Sequence, residues 1–113
     1  MTKEEFIEYC KERGYDINDD QFSGRDKIEG NLRLEYLTEI PEGFNPKVGG
    51  DLYLDSLTSI PEGFNPVLKY DLYLDSLSEI PENWNPTNIG KGIYINNYSI
   101  NIKPELKFIN FEI

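Results

Sequence analysis

The stretch DLYLDSLTSIPEGFNP, residues 51–66, is followed twenty positions later by DLYLDSLSEIPENWNP (71–86) and preceded twenty positions earlier by NLRLEYLTEIPEGFNP (31–46). Self-similarity at a fixed short period is the signature of a repeat architecture, in which each unit buries its apolar face only by stacking on its neighbours. Within the unit, Leu32/Leu34, Leu52/Leu54 and Leu72/Leu74 alternate with outward residues, the period of a half-buried strand. A third leucine (Leu37, Leu57, Leu77) ends the strand and turns the chain, and Ile40, Ile60 and Ile80 follow, each before a proline. The return path carries Phe44, Phe64 or Trp84 and then Asn-Pro at 45–46, 65–66 and 85–86. Six of the seven prolines sit at these two repeat positions, where the missing N–H forbids helix and a paired central strand. The return is therefore expected to be extended or turning, with the aromatic ring inward and the leucine strands left free to pair.

The pattern runs past the three clear copies. RDKIEGNLRL (25–34) aligns with NPKVGGDLYL (45–54), and GKGIYINNYS (90–99) resumes the strand after one inserted residue, with Ile93 and Ile95 in the leucine positions. A stack of coils must also close its ends. Thr2 and Glu5 form a capping-box pattern, Phe6, Ile7 and Cys10 recur at helical spacing, and Gly14 suits a helix stop. At the far end LKFINFEI (106–113) reads as β and could, if uncovered, pair with another chain as an edge strand. The expectation is a mainly β, short parallel-β solenoid forming one domain over 1–113. It comprises an N-terminal helical cap (1–14), a degenerate first coil (15–30), about four coils of 20–21 residues (31–100) and a C-terminal β cap (101–113).

If 52 and 54 point inward, 51, 53 and 55 point outward. Across the coils this gives three rows: Asn31, Asp51, Asp71, Gly92; Arg33, Tyr53, Tyr73, Tyr94; and Glu35, Asp55, Asp75, Asn96. Parallel neighbours lie about 4.8 Å apart, and two unit charges at that distance repel by roughly 0.9 kcal/mol even in bulk water. A flat face of tyrosines between two acidic rows thus reads either as a docking surface for a basic protein segment, or as a by-product of duplication in which the tyrosines merely stabilise the sheet. Glu42, Glu62 and Glu82 form a further acidic row, read as a solvated edge.

The whole-chain charge of −10, from 11 basic and 21 acidic residues, agrees with a basic partner and argues against direct nucleic-acid binding, which needs a basic footprint. Residues 31–90 alone hold three basic and ten acidic residues. Cys10 is the only cysteine, so no internal disulfide forms. No apolar run has the form of a signal peptide or the length of a membrane-spanning helix, and the expected compartment is a reducing cytoplasm with no membrane partner. The glycosylation triplet Asn97-Tyr98-Ser99 carries no weight without a secretion signal.

Other chemistry finds little support. The chain has no histidine, Cys10 has no partner for nucleophilic catalysis and reads as a small core residue, and GKG at 90–92 precedes a strand rather than a helix. Asp16, Asn18 and Asp20 have the spacing of a calcium loop, but Gln21 and Lys27 stand where glycine and glutamate belong. The pairs Asp51/Asp71 and Asp55/Asp75 could flank a sugar as in glycosidases, yet nothing there excludes water or separates their acidities. No enzyme activity, metal or cofactor is expected.

The unit resembles the short leucine-rich repeats of bacterial and phage proteins, on LTSIPEGF-type segments over 31–86 and more loosely over 87–100. It departs from the family pattern in having no asparagine after the strand. Asn45, Asn65 and Asn85, before proline, stand to satisfy backbone groups elsewhere. The resemblance implies a leucine-rich-repeat-like solenoid; the residues expected to bind a protein are those of the outward rows, Arg33, Glu35, Asp51, Tyr53, Asp55, Asp71, Tyr73, Asp75 and Tyr94. By analogy with phage-type repeats, the partner could be a host nucleic-acid-handling defence protein whose basic groove is occupied, an anti-CRISPR-like role. The alternative is a self-associating scaffold with no dedicated binding face. The expected state is a monomer or a weak homodimer through the C-terminal strand.

Overall fold

A computed structural model describes residues 1–82, 84 and 86–95, and the backbone of 109–111. The chain opens with α1 (Lys3–Glu12) and a five-residue α2 (Asp19–Ser23). Eight short strands follow: β1 (Lys27–Ile28), β2 (Leu32–Arg33), β3 (Lys47–Val48), β4 (Leu52–Tyr53), β5 (Val67–Leu68), β6 (Leu72–Tyr73), β7 (Ile93–Ile95) and β8 (Ile109–Phe111). They form two parallel sheets, ordered β1-β3-β5 and β2-β4-β6-β7-β8. The architecture is two parallel sheets of short strands with two helices, an α/β arrangement rather than a purely β one.

Register follows the repeat. Leu32 pairs with Leu52 and Leu52 with Leu72, while Lys47 pairs with Lys27 and Val67. The next step pairs Leu72 with Ile93, and an isolated bridge joins Leu68 to Ile89, both one residue longer. The inserted residue is thus taken up between the third copy and β7. The leucine sheet matches the alternation in the sequence. The second sheet does not correspond to any expected strand, because the Asn-Pro pairs suggested only a turning return. Its own signal was Ile28, Val48, Leu68 and Ile89, buried apolar residues at steps of 20, 20 and 21, the last three of them shortly after Pro46, Pro66 and Pro86.

Between the sheets lies one apolar core: Leu32, Leu34, Leu52, Leu54, Leu72, Leu74, Ile93 and Ile95 are at most 1% exposed. A column of rings runs beside it, Phe22 to Phe44 at 5.5 Å and Phe44 to Phe64 at 6.5 Å between centroids. Trp84 ends the column and donates its indole N–H to the Phe64 carbonyl at 2.7 Å, the partner a buried indole needs.

The N-terminal end of the stack is covered by the helices. Thr2 and Glu5 make a reciprocal capping box on α1, and Phe6 buries its ring 4.4 Å from that of Phe44. Asn18 and Gln21 make the same box on α2, which places a helix inside the segment 15–30 expected to be a degenerate coil. That turn ends at Gly24, with φ of 87°. A Cβ there would collide with the Asn45 carbonyl oxygen, so glycine is required for both conformation and space. Tyr15 closes the exposed edge of β2 by accepting the Arg33 N–H at 3.1 Å on its hydroxyl. In the calcium-like stretch, Asn18 caps α2 and Asp20 pairs with Arg25 at 2.8 Å, so those oxygens already serve the fold. At the other end, β8 pairs parallel to β7. The remainder of the expected C-terminal β cap, the 97–99 triplet, Asn85 and Asn96 lie outside the described residues.

Candidate functional site

The outward face of the leucine sheet is fixed by its backbone. Each inward leucine donates its N–H to an outward residue of the next unit: Leu52 to the Asp71 carbonyl at 3.0 Å, Leu54 to the Tyr73 carbonyl at 2.9 Å. Burying leucines therefore aligns the three outward rows, because side chains alternate along a strand.

The middle row is one continuous stack. Tyr53 and Tyr73 lie 4.6 Å apart between centroids with planes within 1°, and Tyr73 and Tyr94 lie 5.1 Å apart within 14°. Arg33 covers the free face of Tyr53, its guanidinium carbon 4.5 Å from the ring centre, and its Nε is 3.7 Å from Glu35 Oε1. The rings are thus used against one another, and what the row offers outward is ring edge and phenolic oxygen. Burial in this stack pushes the Tyr73 hydroxyl up to about 12, reinforced by the negative fields of Asp71 and Asp51. Tyr53 is raised for the same leading reason, with Asp51 next.

The first row is a hydrogen-bond ladder. Asn31 Oδ1 accepts the Asp51 N–H at 2.8 Å, Asp51 Oδ1 accepts the Asp71 N–H at 2.8 Å, and Asp71 Oδ1 accepts the Gly92 N–H at 3.0 Å. One oxygen of each aspartate is committed to the fold, which offsets the repulsion between stacked carboxylates. Asp51 Oδ2 lies 3.4 Å from the Tyr53 hydroxyl. The ladder stops at Gly92, which has no side chain to continue it. A second ladder begins on the return path, where Asn45 Oδ1 accepts the Asn65 N–H at 2.6 Å.

The third row, Glu35, Asp55 and Asp75, lies half-buried where the chain leaves the sheet. Burial pushes the Asp75 carboxyl above its ordinary carboxylate value, opposed by its hydrogen bond with Asp55. Glu35 Oε2 and Asp75 Oδ1 are buried and find no hydrogen-bond partner among the described residues. Ser56 Oγ donates to the Glu35 carbonyl, tying the units together beneath this row.

All nine residues singled out from the sequence (Arg33, Glu35, Asp51, Tyr53, Asp55, Asp71, Tyr73, Asp75 and Tyr94) therefore lie on one face. Two features were missed. The tyrosine faces are consumed by stacking, so a partner's cation cannot cover Tyr53 or Tyr73. The first-row aspartates carry backbone as well as charge; the presence of asparagine at 31 was the available hint, since Asn and Asp share the carbonyl-type oxygen that accepts. Glu42 and Glu62 stand apart at the exposed edge with Glu82. Cys10 is fully buried, and desolvation pushes its thiol up to about 12, which makes it inert. Among the described residues no helix is long and apolar enough to cross a membrane. In comparison with known proteins, no family model matches the chain, and no curated protein or solved structure matches it significantly.

Proposed function

We propose that the chain is a non-enzymatic, protein-binding repeat module that docks a basic protein surface on the tyrosine/acidic face. The observation that carries this reading is Arg33: the chain's own guanidinium already lies on the Tyr53 ring and beside Glu35. Along the rest of the face, where the ring faces are stacked, a foreign cation meets the carboxylate part of that chemistry, with phenol hydroxyls beside it, at the strand spacing. The twenty-residue register common to both sheets supports a finer architectural reading, in which they are two sides of one leucine-rich-repeat-like solenoid. Among basic surfaces, the groove of a nucleic-acid-handling protein is the sharpest case. Occupying such a groove in the cytoplasm would make the module an inhibitor of the phage anti-defence kind.

The test is a titration with a lysine- and arginine-rich peptide, followed by nucleic-acid-binding proteins with basic grooves, at low and high salt. Replacing Asp51, Asp55, Asp71 and Asp75 with Asn should weaken binding and flatten its salt dependence. Tyr53→Ala with Tyr73→Ala should weaken it while keeping most of that dependence. If neither set changes affinity by about threefold, roughly 0.65 kcal/mol, the face is not the binding surface.

A further inference from the structure

The second sheet carries charge of the opposite sign. Its outward positions are Lys27, Lys47 and Val67, followed along the chain by Glu29, Gly49 and Lys69, with Tyr70 and Lys91 at the corner toward the leucine sheet. All of these except the half-buried Gly49 are exposed. Lys69 and Lys91 each bring their ammonium 5.4 Å from the centre of the Tyr70 ring. Lys27 reaches Glu29 at 3.8 Å, whereas Lys47, Lys69 and Lys91 form no ion pair among the described residues. Val67 and Tyr70, each 38% exposed, are two of four exposed large apolar residues among those described. Beside them, Gly49 has no side chain and leaves a shallow depression of about 320 Å³ bordered by Lys27, Lys47, Val67 and Lys69. Two partly exposed apolar side chains set among Lys47, Lys69 and Lys91, which form no ion pair among the described residues, make a small cationic surface in a chain whose net charge is −10.

What fits it is anionic, carries aromatic edges between its charges, and repeats at the spacing of parallel strands. The tyrosine/acidic face has all three properties and offers its groups once per unit, as the second sheet offers Lys47, Lys69 and Lys91, which run diagonally across it because Lys47 pairs with Val67 and Leu68 bridges Ile89. We propose that the Lys47/Lys69/Lys91 face of one chain docks on the Asp/Tyr face of a second copy. This rests on reading the Asp/Tyr face as a cation-binding surface. Lysines meet the outer oxygens of the aspartate rows, and Val67 and Tyr70 meet the edges of the tyrosine stack. The two surfaces are different, so the contact is heterologous and each added chain leaves one of each face open. Long-range repulsion between two chains of charge −10 opposes the contact when the Debye length is about 30 Å, and screening removes the contact pairs when it is about 3 Å. Association therefore peaks at intermediate salt.

The experiment is sedimentation equilibrium on the full chain from about 10 µM to about 1 mM, across a salt series centred near 0.15 M. Lys47→Glu with Lys69→Glu should weaken self-association by about tenfold or more. The Asn replacements at Asp51, Asp55, Asp71 and Asp75 should do the same although they reduce the net repulsion. Asn31 shows that Asn supplies the same ladder acceptor. Lys11→Glu with Arg13→Glu, which changes net charge equally from α1, should leave association as it was. Mixed together, the lysine and aspartate variants should form dimers and nothing larger, because one retains only the acidic face and the other only the basic one. A wild-type chain that stays monomeric throughout, variants that associate like wild type (as pairing through β8 would give), or a control that loses association equally would each overturn the proposal. The lysine-rich peptide separates this failure from that of the underlying reading: binding to wild type and to the lysine variant, but not to the aspartate variant, keeps the acidic face as a cation-binding surface.

Discussion

The rings of Tyr53 and Tyr73 are parallel to within 1°, 4.6 Å apart between centroids, and Tyr94 continues the same stack. Each ring therefore stabilises the sheet through its faces and meets solvent or a partner only through its edge. Tyr73→Ala removes two stacking contacts, each worth about 0.5–1.5 kcal/mol beyond buried area. Tyr73→Phe keeps the stack and removes only the hydroxyl. Denaturant melts should accordingly place Tyr73→Phe near wild type and Tyr73→Ala clearly below it, whereas in binding assays both should lose affinity.

The inward leucines set a different scale. Leu54 and Leu74 are fully buried in the middle of the core, and truncating either to alanine should cost about 2–5 kcal/mol. A melt in which Tyr53→Ala is the worse substitution would contradict the pairing of Leu52 with Leu72.

Asp51 provides a direct separation of charge from hydrogen bonding. Asp51→Asn keeps an oxygen for the Asp71 N–H and removes a carboxylate from a crowded column, so its stability should equal or exceed wild type. Asp51→Ala leaves that half-buried N–H without its acceptor and should cost about 1–3 kcal/mol. Chemical denaturation of the two variants side by side is the check.

Acid and base should affect the face in one direction. Asp75 titrates above its ordinary value near 3.8 because burial disfavours its charge. The folded state thus holds this proton more tightly than the unfolded chain does. Its contribution is fully present below that ordinary value and is lost as pH rises through the raised one. Asp75→Asn should be more stable than wild type at neutral pH, with the advantage shrinking toward pH 3.8. Tyr73, raised from 10.0 to about 12, behaves likewise in alkali: ultraviolet titration should show a late phenolate step that Tyr73→Phe removes, and stability should fall as pH passes from 10 to 12.

Phe6 ties the helical end to the sheets. Its ring is fully buried, 4.4 Å from Phe44 and 5.7 Å from Phe22. Phe6→Ala should cost about 3–5 kcal/mol, and deleting residues 1–14 should bring aggregation or loss of cooperative melting. A truncated chain that melts like wild type would free α1 for another role.

The leucine pattern made the first sheet and its outward rows legible, because alternation and a twenty-residue period leave one register that buries Leu52 and Leu54 together. The second sheet was hidden by Pro46 and Pro66, whose effect ends one residue later, where Lys47 and Val67 pair freely. Helix α2 is a single turn held by Asn18 and Gln21, too short to show a period. Within the site, residue type revealed charge and aromaticity but not which oxygen of Asp51 faces a neighbouring amide, nor which side of Tyr53 Arg33 covers. Those depend on side-chain torsions that the stacking of units decides.

Because Asp51 and Asp71 each accept one N–H on the side chain and donate their own to the rung before, an inner unit of the ladder has no fixed place in the series. Tandem duplication of residues 51–70 would bring in one acceptor, one amide, one tyrosine ring and one pair of inward leucines, each meeting a neighbour of the kind it has now. Arg33 and Gly92 would still end the rows. An insertion of any other length would throw the leucines out of step unless a loop absorbs it, as the stretch before Ile93 absorbs a single residue. Recombination between copies can therefore lengthen or shorten this protein in whole rungs while folding is preserved. Evolution can then set the area of its acidic face by copy number rather than by substitution.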